Sequence, residues 1–73
     1  MKQQTRDILN YIYHKTNHGF FVTMDALETE FALTGTQLRA ILEDLKDEIL
    51  VVEHDEGFQV SQPGMNYCRT QWD

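Results

Sequence analysis

Apolar residues recur three and four apart through most of this chain, and the breaks in that spacing divide it into short elements. Between positions 3 and 17, Thr5, Ile8, Leu9, Ile12, Tyr13 and Thr16 fall on one side of a helix. Asn17-His18-Gly19 ends it, with Gly19 free to take the left-handed conformation of a C-cap. Phe20, Phe21 and Val22 form a short extended piece, expected at the edge of a small sheet. Thr23 caps a second helix, with Asp25 and Glu28 near its positive end. A capping box of Asp25 with Glu28 is the alternative start, two residues later. Leu27 and Phe31 lie one turn apart and face the core.

The densest signal lies at Leu33-Thr34-Gly35-Thr36-Gln37-Leu38. Thr34 with Gln37 three residues later fits a capping box, and Leu33 with Leu38 fits the hydrophobic staple. The third helix therefore runs from about Gly35 to Asp47, with Leu38, Ile41, Leu42 and Leu45 as its buried stripe. Its opposite pole carries Thr36, Ala40, Glu43 and Asp47. Arg39 and Lys46 flank one side of that pole, Gln37 and Asp44 the other. Ile49-Leu50-Val51-Val52-Glu53-His54 reads as a strand, Asp55-Glu56-Gly57 as a turn, and Phe58-Gln59-Val60 as the returning strand. Ser61 caps a last helix that tolerates Pro63 in its first turn and sets Met65, Cys68 and Trp72 on one face. The expected core is Leu9, Ile12, Leu27, Phe31, Leu38, Ile41, Leu42, Leu45 and Val60, with Phe20, Phe21 and Phe58 as further core aromatics.

Composition narrows the class. With 73 residues, 41% of them hydrophobic, residues 1–73 make one small α+β domain with a thin core. A single cysteine, Cys68, excludes an internal disulfide and suits a reducing compartment; it is expected in the core. No apolar run follows the N-terminus, and the longest one, Ile49 to Val52, is far short of a membrane span, so a cytoplasmic protein without membrane contact is expected. No nucleophile with a base, phosphate-cradling loop or metal-ligand cluster stands out, which predicts neither enzyme nor cofactor. His14 and His18 have a metal-binding spacing but no third ligand.

Charge changes the picture more. Residues 1–24 set Lys2, Arg6 and Lys15 against Asp7, giving +2. Residues 25–56 set Arg39 and Lys46 against ten carboxylates, giving −8. The acidity is concentrated in the two central helices and the hairpin.

The order helix, short strand, helix, turn, helix, hairpin, helix resembles the winged helix-turn-helix superfamily over nearly the whole chain. It looks closest to small bacterial and phage regulators and to MarR-like domains. Residues 36–53 are similar to their recognition helix leading into the wing, and Gly64-Met65-Asn66-Tyr67 resembles the G-x-x-Y start of the helix that often follows. Two departures stand out. Members often carry Gly where helix three ends, and this chain has Glu48-Ile49. DNA-binding members usually carry Arg, Lys, Ser or Thr at the outward positions held here by Ala40, Glu43, Asp44 and Asp47.

The resemblance implies a regulator that sets helix three in the major groove of double-stranded DNA and the wing against the backbone. Thr34, Thr36, Gln37, Arg39 and Lys46 are then the candidate contacts, Gln suiting adenine and Arg guanine. The acidic face implies a different class, a protein-interaction module that holds a basic partner through Glu43, Asp44, Asp47, Glu53, Asp55 and Glu56. Arg39 and Lys46 would then be a solvated flank, paired with Glu43 or Asp47. Surplus aromatics suggest a two-fold homodimer through Ile8, Tyr11, Tyr67 and Trp72, although Tyr67 and Trp72 serve equally well to complete the core.

Overall fold

The computed structural model describes residues 1–72, with side chains described through Thr70. In chain order the elements are α1 (Gln3–Asn17), α2 (Met24–Phe31), α3 (Gly35–Asp47), β1 (Val51–His54), β2 (Gly57–Val60) and α4 (Gln62–Trp72). The fold is α+β, four helices with a two-stranded antiparallel sheet. Its radius of gyration of 11.0 Å is that of a fully folded chain of this length, about 11 Å.

Helix boundaries follow local chemistry. Thr23 Oγ1 accepts from the Ala26 amide at 3.2 Å and starts α2. At α3 the capping box is complete: Thr34 Oγ1 accepts from the Gln37 amide at 3.2 Å, and Gln37 Oε1 accepts from the Thr34 amide at 3.0 Å. Gly19, at φ 80°, closes α1. The same closure ends α3 without glycine. The Leu50 amide donates to the Leu45 carbonyl at 3.0 Å and the Ile49 amide to the Lys46 carbonyl at 2.9 Å, with Ile49 held at φ 59°. Ile49 and Leu50 are thereby spent on the helix end, so β1 starts at Val51 rather than at Ile49. Ser61 ties the next junction: its Oγ donates to the Ile49 carbonyl and accepts from the Gly64 amide at 2.9 Å, capping α4. Gly64 has no room for a side chain, since an added Cβ would collide with the Leu50 carbonyl oxygen.

The strands pair Val51 with Val60, Val52 with Gln59, Glu53 with Phe58 and His54 with Gly57. On the far side of β2, Val22 and Phe58 exchange both backbone hydrogen bonds, at 2.9 and 2.7 Å. The third strand expected at Phe20–Val22 is reduced to this single bridge. Beyond it, the Val60 amide donates to Thr16 Oγ1 of α1 at 3.0 Å. The outward amides of β2 are therefore all satisfied. Because Phe58 and Val60 direct their peptide groups away from β1, their pairing partners Glu53 and Val51 direct theirs away from β2. Those groups of β1 make no hydrogen bond to any described residue.

The core joins Ile8, Leu9, Ile12 and Tyr13 of α1 to Leu27, to Leu38, Leu42 and Leu45 of α3, and to Leu50, Val51, Phe58, Val60 and Cys68. Phe31 and Ile41, expected in the core, are only partly buried at its margin. Phe20 and Phe21 depart further, at 59% and 39% exposed. With one bridge to align it, the segment turns only Val22 inward, and the side chain before it faces out by alternation. Ile8, expected on a surface shared with a second copy, is fully buried in its own core and is not available for that contact.

Candidate interaction surface on α3 and the hairpin

Arg39, Glu43 and Lys46 follow one another at helical spacings of four and three, so α3 lines them up on one flank. The hairpin adds the fourth member. Glu53 lies two residues beyond the inward-facing Val51 and points to the same side of the strand, toward α3. Arg39 Nη1 lies 2.9 Å from Glu53 Oε1 and 3.3 Å from Glu43 Oε2. Lys46 Nζ lies 2.9 Å from the same Glu53 oxygen and 3.1 Å from the same Glu43 oxygen. Two cations and two carboxylates thus form a closed ring of four contacts with no net charge. The guanidinium carbon also stands 5.7 Å from the centre of the Phe58 ring.

Electrostatics follow the geometry. Hydrogen bonds donated to Glu53, then to Glu43, raise both the Arg39 and the Lys46 pKa above their ordinary values. Lys46 and then Arg39 lower the Glu43 carboxyl, while Arg39 and then Lys46 lower Glu53. The four side chains are 31–47% exposed, which keeps each contact in the weak range of surface ion pairs.

The ring accounts for several residues singled out by the sequence. Arg39 and Lys46 pair with Glu43 as expected, but their second partner is Glu53 of β1 rather than Asp47. Thr34 and Gln37 are engaged with each other in the cap. Thr36 stands exposed at the first turn of α3. Asp44 and Asp47 on α3, and Asp55 and Glu56 on the hairpin tip, are exposed and in no ion pair among the described residues. Tyr11, a candidate for the shared surface, packs edge-on against Phe31 at 5.7 Å with Lys15 Nζ 5.5 Å above its ring. Tyr67 is half-buried against the core, and the Trp72 side chain lies outside the described residues.

The sequence alone sets Glu53 on the acidic face open to a basic partner and does not show its place in the ring. Strand alternation from Val51 is the signal that places it. The contact of Phe21 with His54, edge-on at 5.4 Å, was also missed, because it joins two segments with no local signal for each other. Among the described residues no group of three His, Cys, Asp or Glu side chains converges as a metal site, and no helix is long and apolar enough to cross a membrane. Comparison with protein-family models, with curated proteins and with solved structures finds no match.

Proposed function

We propose that this chain is a winged-helix module that binds a basic protein surface through the acidic side of α3 and the hairpin. The winged-helix reading rests on the order of elements and on the α2–α3 unit with its capped third helix, followed directly by the hairpin. The partner class rests on one observation, the closed ring around Arg39 and Lys46. Phosphate contacts supply most of the affinity of such domains for DNA, and they need cations. Both cations of α3 are already neutralised, and releasing them leaves the Glu43 and Glu53 carboxylates facing the phosphates. Asp44, Asp47, Asp55 and Glu56 add uncompensated negative charge on the same elements. A surface of this sign attracts lysine- and arginine-rich protein and repels a duplex.

The test is a pair of titrations at low salt, where attraction is least screened. Mixed genomic DNA fragments should give no complex. A complex that depends on Thr36, Arg39 and Lys46 would overturn the proposal in favour of DNA. An octalysine peptide should shift backbone amides of α3 and the hairpin selectively, and Asp44→Asn with Asp47→Asn should weaken it by roughly threefold to tenfold, the worth of two exposed charges. Shifts spread evenly over the molecule would also overturn it.

A further inference from the structure

We infer that the outer edge of β1 accepts an extended basic segment of the partner as an added strand. This rests on the reading above and names how the basic partner is held. The carrying observation is the asymmetry of the sheet. The outer edge of β2 is closed by Val22 and by Thr16. The outer edge of β1 is not: the peptide groups of Val51 and Glu53 point away from β2 and meet no described partner, and Glu53, unlike the buried Val51, is exposed. An edge of free N–H and C=O groups is a template for a further strand, and peptide recognition by strand addition uses that template. A shallow depression of about 730 Å³ runs along this edge, lined by Lys46, Ile49, Val51, Val52, Glu53, His54 and Asp55. Ile49 and Val52 are exposed there, at 64% and 39%, and offer apolar contact to an incoming strand.

Charge selects the occupant. Lys46 is cancelled within the ring, so Asp55 and the adjoining Glu56 leave the edge acidic. A second copy of this chain pairing through the same edge would bring like carboxylates together, which disfavours it. A segment alternating Lys or Arg with β-branched residues meets both demands, with open peptide groups for the backbone and carboxylates for the cations.

The probe is a synthetic peptide of four Lys-Val repeats, compared with the same peptide N-methylated at every backbone amide, so that neither edge of the strand can donate. N-methylation removes the amides that pair with an edge and leaves charge and composition in place. The unmodified peptide should bind and move the Glu53 amide resonance most. The methylated peptide should bind about tenfold more weakly or worse, as loss of a pair of backbone hydrogen bonds requires. Equal binding of the two would overturn strand addition while leaving an acidic docking surface intact. No binding of either peptide at low salt would overturn both readings.

Discussion

Ile49 sits where a helix end wants glycine. Its φ of 59° costs a side-chain-bearing residue roughly 1–2 kcal/mol, and β-branching adds crowding. The position is held by its neighbours: the Ile49 and Leu50 amides close α3, and Ser61 Oγ holds the Ile49 carbonyl. Its side chain is 64% exposed, so little burial offsets the strain. Ile49→Gly should therefore stabilise the fold by about 0.5–1 kcal/mol after the flexibility of glycine in the unfolded chain is counted. Urea unfolding measures this, and a loss of stability would mean that the isoleucine packs more than its exposure indicates. At this scale the sequence was legible wherever chemistry is local. Thr23, Thr34 with Gln37, Gly19 and Ser61 all cap as their types and spacings imply. Phe20 and Phe21 were misjudged because hydrophobicity alone does not decide which way a side chain points in a segment with one bridge.

At the scale of elements, the ring fastens β1 to α3 across seven residues from Lys46 and fourteen from Arg39. Glu43 and Glu53 titrate below the ordinary unfolded carboxyl value of about 4.3. Their contribution is therefore present above that value and is lost as pH falls through their lowered folded pKa values. Arg39 and Lys46 run the other way: their raised pKa values keep the contribution complete at neutral pH and remove it only at strongly alkaline pH. Glu53→Gln should thus be less stable than the parent at neutral pH, and the difference should close in acid, below about pH 4. Thermal unfolding of both proteins across pH checks this, and a difference that stays constant into acid would mean that Glu53 contributes by packing alone. Element types and most boundaries were legible from periodicity. The fastening was not, because strand alternation tells which face Glu53 takes but not which helix side chains lie across from it. The start of β1 shifted for a similar reason, as Ile49 and Leu50 look like strand residues until the helix end claims them.

Across the whole molecule, charge is divided into a weakly basic α1 end and an acidic middle of −8 over residues 25–56. The ring cancels four charges, but most of the remaining carboxylates repel one another at neutral pH. Raising salt from about 10 mM to about 150 mM, which shortens the screening length to about 8 Å, should stabilise the protein by several tenths of a kcal/mol. Chemical unfolding in urea, which adds no ions, measures that directly, and a decrease would mean that the ring contributes more than the repulsion costs.

The two edges of the sheet carry a last consequence. Pairing that enters at β1 meets a closed boundary at the other side of β2, where Val22 and Thr16 already occupy the outward amides. Growth through this sheet has a valence of one. The molecule can be the end of a strand stack but not a link in its middle, so an edge left open for recognition does not become a seed for fibres.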